Sequence, residues 1–396
     1  MGGFVVGSAE RCPANLPIPS KNFGRTPKKG IFVTNSKFDP LLEAIRVRKE
    51  IVYSYLMQPE YAGLFEPAHI RSAVLSYLKG GGKSLRAVVL LLSCGAVGGN
   101  EEVAVPAAAG IEVYHTYTLV HDDIIDRDDK RRGIPTVHTE YAGVARQELG
   151  HDEGEAAHYG LTIAILTGDI QQAWSTFLIA EVAQKYEVDA RLVINMLSYL
   201  SGRLSPALIA GEALDVQYSK RPVEAITEDL VLNMLWKKTG ALYEFAGRAG
   251  AAIGLGDVTL QDPLVTDIAT FCSRCGTAFQ LQDDILGIVG DESQLGKPVG
   301  SDLREGKTTV IILKAFQEAN PTQQAKLKAV LGNPNATEAD IKAATNLLRD
   351  LGGIAYTQNL AHNYVNEAIS CLDRLPSSGY KDLLVQWAEY LVERKF

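Results

Sequence analysis

Five cysteines in 396 residues are too few to staple a chain of this size, which excludes the disulfide-framework class and fits a reducing cytosol. Positive charge is also scarce. Thirty-nine Lys and Arg stand against 47 Asp and Glu, giving a formal charge of −8, so no basic surface is on offer to nucleic acid and any anion site has to be a local cluster. Long apolar runs are missing as well: the longest, Ala87 to Val97, includes Ser93 and Cys94 and is about half of what a membrane span needs. It predicts a buried helix and no transmembrane segment. Residues 1–38 lack the apolar block of a secretory signal and carry too little amphipathic patterning for a transit peptide. With scattered Gly and Pro, six Lys or Arg and no periodicity, they read as a disordered extension or an arm over a neighbour, leaving 39–396 as the folded domain.

What is present is helical periodicity. Apolar residues recur at helical spacing almost throughout from Pro40, with capping residues and glycines at the breaks, and nothing reads as a sheet. The spacing predicts helices near 40–58, 66–79, 84–97, 102–128, 157–184, 187–219, 226–252, 261–289, 306–318, 322–331, 337–351, 354–374 and 379–394. Runs such as Leu192–Leu200 and Leu264–Ile285 are apolar around much of the helix, as central helices of a large bundle must be. The expected fold is therefore all-α, one large helical bundle. Cys272 and Cys275 form a CxxC inside such a run, which favours core packing over a redox or zinc role. Two loops are expected, an exposed one at 142–157 and a glycine-rich one at 290–306 that carries Lys297 and reads as a lid.

One stretch, His121 to Gly133 (HDDIIDRDDKRRG), holds five aspartates and four cationic side chains. If it begins on a helix, Asp122 and Asp126 stand one turn apart on one face, where they repel unless a cation lies between them. Clustered hard oxygens of this kind suit Mg²⁺ shared with phosphate groups, and the Arg131 and Arg132 guanidiniums are shaped for phosphate oxygens. About 160 positions later Gln282-Asp283-Asp284-Ile285-Leu286-Gly287 repeats the theme. An acidic helix face alone is commonly just solvated, whereas two matched turns, each ending an apolar helix, point to a metal-bound diphosphate in a central cavity.

With Gly81-Gly82-Lys83-Ser84-Leu85-Arg86, Pro135-Thr136-Val137-His138, Gly168-Asp169, Gly211-Glu212-Ala213-Leu214-Asp215, Lys238-Thr239-Gly240, Phe279-Gln280-Leu281-Gln282-Asp283-Asp284, Gly296-Lys297 and Lys307 in the same order, the chain resembles the trans-isoprenyl diphosphate synthases over about residues 40–395. The resemblance implies the isoprenoid-synthase helical fold and head-to-tail condensation of isopentenyl diphosphate with an allylic diphosphate. It implies three Mg²⁺ ions, held by Asp122, Asp126 and Asp283, with Asp123 and Asp284 in support. By the same resemblance Arg131, Lys238, Lys297 and Lys307 grip the allylic diphosphate, while Lys83, Arg86, His115 and Arg132 serve isopentenyl diphosphate. Thr239 and Gln280 lie near the cation, the released diphosphate acts as base, and a cytoplasmic homodimer is the expected form. No catalytic triad is visible or required.

The sequence departs from the family pattern at Ser84 and Ala87, where arginine and proline are usual, at Glu212 in place of glutamine, and at Gly287 in place of a third aspartate. An aromatic at Tyr117 followed by the small Thr118, with Tyr114 one turn earlier, resembles short-chain geranylgeranyl (C20) synthases, with farnesyl (C15) and geranylfarnesyl (C25) as alternatives. A type I terpene cyclase has no use for the second cationic set of Lys83, Arg86 and Arg132. An inactive partner subunit usually loses first-motif aspartates, and all three stand here.

Overall fold

A computed structural model describes residues 37–289 and 300–394, and nearly all regular structure there is helical. The helices are α1 (Asp39–Leu56), α2 (Pro59–Ala62), α3 (Ala68–Lys79), α4 (Leu85–Ala96), α5 (Glu101–Ile125), α6 (Val137–Glu148), α7 (Glu153–Lys185), α8 (Ala190–Tyr199), α9 (Ser205–Tyr218), α10 (Glu228–Leu235), α11 (Ala241–Leu255) and α12 (Pro263–Val289). After them come α13 (Ser301–Glu305), α14 (Val310–Glu318), α15 (Pro321–Val330), α16 (Glu338–Asp350), α17 (Gly353–Ser370) and α18 (Gly379–Glu393). Residues 1–36 of the expected extension and Lys297 in the expected lid lie outside the described residues.

Helix α5 is the central element. Asn100 caps it by accepting from the Glu102 N–H, Glu101 and Glu102 supply negative charge to its first turn, and it is buried on nearly every face from Ala104 to Tyr117. It packs most extensively against α7, which at 33 residues is the longest helix described. Helices α4, α11, α12 and α18 form the other side of the core, where the Trp387 ring lies 5.5 Å from Tyr243 and 5.7 Å from Phe271. Cys272 and Cys275 are fully buried there, and burial pushes both thiols up, so they serve as small core residues.

Two helical runs contain π turns, at Leu200–Leu204 between α8 and α9 and at Trp236–Gly240 between α10 and α11. Each inserts one residue and rotates the succeeding helix by about 100°. The continuous run Ala190–Tyr218 is long and apolar enough by composition to cross a membrane, with 33% of its most apolar window buried, yet its last turns carry Glu212 and Asp215 into a charged cluster.

The structure corrects the sequence reading in several places, among them residues 301–305 of the expected 290–306 loop, which form helix α13. Residues 137–148 are helical, not loop, because Val137, Tyr141 and Ala145 form a buried stripe against α7 that the neighbouring glycines and charges obscure; only 149–152 connect α6 to α7. The central helix ends at Ile125, not 128. Immediately after it a two-residue hairpin pairs β1 (Lys130–Arg131) with β2 (Ile134–Pro135), although nothing in the sequence pattern suggests a strand. Arg132 and Gly133 both have positive φ, the geometry of a type I′ turn, and arginine at its first position hides the usual Asn-Gly signal.

The α4–α11 crossing is close enough to test. A Cβ on Gly250 would lie 2.0 Å from the Leu90 carbonyl oxygen, whereas one on Gly143 in α6 would meet nothing within 4 Å. Gly250→Ala should cost about 1–3 kcal/mol by overpacking, and Gly143→Ala should gain up to about 1 kcal/mol from helix propensity, both read by denaturant unfolding.

Candidate active site

Helices α5 and α9 bring their C-terminal turns together. Asp122 lies in the last turn of α5 and Asp126 caps its C-terminus one turn on, and with Glu212 from α9 they offer three carboxylate oxygens all within 4.8 Å of one another. Such crowding is unfavourable unless cations share the space. Lys238, on the second π turn, is one: its Nζ lies 2.7 Å from Asp215, 2.9 Å from Glu212 and 3.4 Å from Asp122. Burial works against that charge, but Asp122, Asp215 and Glu212 hold its pKa above the usual lysine range. Lys307 lies 3.4 Å from Asp126 and 3.0 Å from Glu305. A Cβ on Gly211 would come within 2.4 Å of the Lys238 backbone nitrogen, so only glycine lets α9 approach the π turn closely enough to assemble this group. A hard-oxygen donor set of three carboxylates fits a small divalent cation that keeps some of its waters.

Asp123 faces elsewhere. It is fully buried, accepts from the Tyr77 hydroxyl, and pairs with Arg131 at 2.6 Å, while the same guanidinium reaches Asp122 at 3.1 Å. Helical geometry requires this, since the residue next to Asp122 is rotated by about 100° from it. The hairpin turns Arg131 back over the helix end that precedes it.

The second aspartate pair, on α12, is not part of the carboxylate cluster. Asp284 is buried and accepts from Gln280 Nε2 at 3.1 Å, and Gln280 Oε1 in turn accepts from the Thr239 hydroxyl at 2.8 Å. Burial raises the Asp284 carboxyl well above the ordinary carboxylate range. Asp283 pairs with Arg394, whose guanidinium lies 4.1 Å from the centre of the Phe279 ring. At Gly287, where a third aspartate is usual, a side chain would meet the Asp302 carboxylate at 2.7 Å, so a carboxylate from α13 comes up against that position.

A separate cationic cavity opens beside the hairpin, lined by Gly80, Gly81, His115, Arg131 and Arg132, with Tyr53 and Glu112 at its inner wall. Arg132 donates to the Gly81 carbonyl. Arg86 donates to His115 Nε2 at 3.0 Å and covers the Tyr243 ring. The imidazole can accept because burial, then Arg86 and Arg132, push its pKa well below the usual value and keep it neutral. Ser84, at the departure from arginine, donates to the buried Glu112 at 2.9 Å. Lys83 is exposed, with its Nζ 6.0 Å from the Tyr390 ring centre.

Below the aspartates, Tyr114 and Tyr117 are buried with rings edge-to-face at 4.7 Å, and Tyr117 meets His121 at 5.8 Å. Thr118 turns its hydroxyl onto the His115 carbonyl. Sequence reasoning left Glu212, Asp215, Asp302 and Arg394 without roles. The first two were findable, as acids three apart on an apolar helix; Arg394 meets Asp283 from 111 positions away, with no local signal.

Burial, opposed by Lys238 and assisted by Asp122, pushes the Glu212 carboxyl from 4.5 up to about 7. Glu212 therefore binds its proton more tightly folded than unfolded, so without metal its contribution to stability is full below about pH 4.5 and is lost as the pH rises through about 7. Unfolding free energies of metal-free wild type should fall more steeply over that range than those of Glu212→Gln. Parallel curves would contradict the assignment.

Comparison with known proteins gives this geometry a context. The polyprenyl synthetase family model matches residues 67–348. The chain is 34% identical over 330 residues to the geranylgeranyl diphosphate synthase of Methanosarcina mazei, covering 83% of this chain and 91% of that one. It is also 34% identical over 333 residues to the geranylfarnesyl diphosphate synthase of Aeropyrum pernix, covering 83% and 95%. Among solved structures, the geranylgeranyl pyrophosphate synthase of Corynebacterium glutamicum, complexed with isoprenyl diphosphate and magnesium, superposes with a TM-score of 0.73 at 27% identity, over 91% of this chain and all of that one. Similarity of this extent, on an all-helical fold, makes the chain a member of the polyprenyl synthetase family of prenyltransferases.

Proposed function

We propose that the protein is a Mg²⁺-dependent geranylgeranyl diphosphate synthase that joins isopentenyl diphosphate head-to-tail to allylic diphosphates until a C20 product is reached. The observation that carries this reading is the occurrence of two charged sites toward one end of α5, a carboxylate cluster with Lys238 and a cavity lined by Arg131, Arg132 and His115, above a pair of buried tyrosines.

Asp122, Asp126 and Glu212 would hold ions where their carboxylates converge, and by the family resemblance Asp283 from α12 would hold another, three ions in all, with Asp123 and Asp284 steadying those ligands. Bound Mg²⁺ supplies charge neutralisation that turns a diphosphate into a leaving group. Lys238, Arg131 and Lys307 grip the allylic diphosphate as fixed positive charges. Isopentenyl diphosphate binds at the other cavity, which Arg132 and neutral His115 line and where Arg86 donates to His115; by the family resemblance Lys83 joins them, and the double bond is brought to the allylic carbon. Gln280 is fixed at both ends of its amide, by Asp284 and by Thr239, so the Thr239 and Gln280 oxygens stand ready as the negative ends of dipoles for passing positive charge.

Tyr114 and Tyr117 form the floor under the growing tail, with Thr118 leaving room above them. At ~1.5 Å per residue they lie roughly 12 Å and 7–8 Å below Asp122. The C20 product follows from a floor at that depth and from the Methanosarcina mazei relative's activity; the equally similar Aeropyrum pernix relative makes C25 the second reading. A homodimer is supported by Ile165, Leu166, Ala173 and Phe177, which lie exposed along one side of α7. A cytosolic location is supported by Cys94, Cys272, Cys275 and Cys371, which are free thiols.

Purified protein supplied with labelled isopentenyl diphosphate, Mg²⁺ and C5, C10 or C15 allylic diphosphates should yield C20 diphosphate, read by chromatography. No incorporation, or a cyclised hydrocarbon, would overturn the proposal. Asp122→Ala should abolish most turnover while helicity by circular dichroism stays intact. Arg86→Ala should weaken isopentenyl diphosphate by about 1.5–3 kcal/mol and leave the allylic KM unchanged. Tyr117→Ala should lengthen the product, and adding Tyr114→Ala should lengthen it further.

A further inference from the structure

We infer that Ser205, on the helix facing α5, is a positioning residue that fixes product length by holding the Tyr114 ring across the cavity. The inference rests on the reading of Tyr114 and Tyr117 as the floor, and adds a residue that no motif contains.

Helices α5 and α9 meet at two levels. At the upper level Asp122, Asp126 and Glu212 converge; at the lower, the Tyr114 hydroxyl lies 2.8 Å from Ser205 Oγ. Tyr114 precedes Asp122 by eight residues and Ser205 precedes Glu212 by seven, about 12 and 10.5 Å of helix respectively. The near-equal spans mean that the two helices run alongside each other between the two contacts. A chain growing down from the aspartates along α5 meets the tyrosine–serine bridge at the bottom of that interval.

The hydrogen bonds around the bridge have a single direction. The Ser205 hydroxyl donates to the Leu200 carbonyl at 2.9 Å, so its oxygen accepts from Tyr114; the Tyr114 oxygen in turn accepts from the Tyr117 hydroxyl at 3.3 Å. This relay ends on a carbonyl of the first π turn, which also receives the Ser205 backbone N–H. The residue inserted there rotates α9 by about 100° relative to α8, and Ser205 is the first residue after it. Tyr114 is fully buried and Tyr117 9% exposed, so a hydroxyl deprived of its acceptor here has little water to turn to, and the edge-to-face rings shift together. Removing the Ser205 hydroxyl therefore releases both rings of the floor.

The test compares product ratios, C25 and longer to C20, for Ser205→Ala, Tyr114→Phe, the double variant and Ser205→Thr. Ser205→Ala and Tyr114→Phe both remove the tyrosine–serine hydrogen bond, and Tyr114→Phe also removes the acceptor of Tyr117, so each should raise the ratio at least about tenfold and the double variant should add nothing to Tyr114→Phe. Ser205→Thr keeps a hydroxyl and should retain the wild-type ratio. Tyr114→Phe also keeps the packing, which guards against a fold that simply fails. If Ser205→Ala lowers yield or melting temperature without moving the ratio while Tyr114→Ala lengthens the product, Ser205 is structural only and the inference falls, with the floor intact. If Tyr114→Ala and Tyr117→Ala also leave the ratio unchanged, the floor itself is elsewhere and both readings fall together.

Discussion

The structure depends on the repulsion among the carboxylates gathered where α5 meets α9. Three oxygens within 4.8 Å cannot coexist as bare charges, and Lys238, with Arg131 on Asp122 and Lys307 on Asp126, supplies the fixed positive charge that lets them be assembled before any ligand arrives. Much of the local architecture answers that need. The π turn gives Lys238 its direction, and Gly211 gives α9 its close approach. Burial then limits how much charge the group can carry, which is why Glu212 is pushed toward neutrality while Lys238 is held charged.

In the proposed reading two diphosphates bind with different fates, and the hairpin after α5 gives its adjacent arginines different partners. Arg131 lies on the strand and folds back onto Asp122 and Asp123; Arg132, in the turn with positive φ, reaches away to Gly81 and the cationic cavity. Both side chains line the cationic cavity, yet their hydrogen-bond partners differ. Backbone conformation, more than side-chain chemistry, separates them.

Much of this was legible in the sequence because it rests on local periodicity. The pairing of Asp122 with Asp126 on one face, the Tyr114–Tyr117–His121 stripe and most helix positions derive from a 3.6-residue repeat. The hairpin was hidden because arginine occupies a turn position where asparagine would have announced it, and α6 because its three buried residues are diluted by glycine and charge. The contacts of Asp283 with Arg394, Asp302 with the Gly287 position, and Tyr114 with Ser205 were illegible for a different reason. They join segments far apart in sequence, cross a loop whose return path the sequence does not show, or depend on π turns whose extra residue leaves no mark in composition.

The central claim is that the growing prenyl chain lies between α5 and α9, with its diphosphate at the carboxylate cluster and its end at Tyr114. A crystal structure with Mg²⁺ and a non-hydrolysable farnesyl diphosphate analogue tests it most directly. The account predicts a diphosphate held between Asp122, Asp126 and Lys238, with the hydrocarbon running down α5 to stop against the Tyr117 and Tyr114 rings. A tail that leaves the aspartates along other helices, or a diphosphate bound away from them, would contradict it.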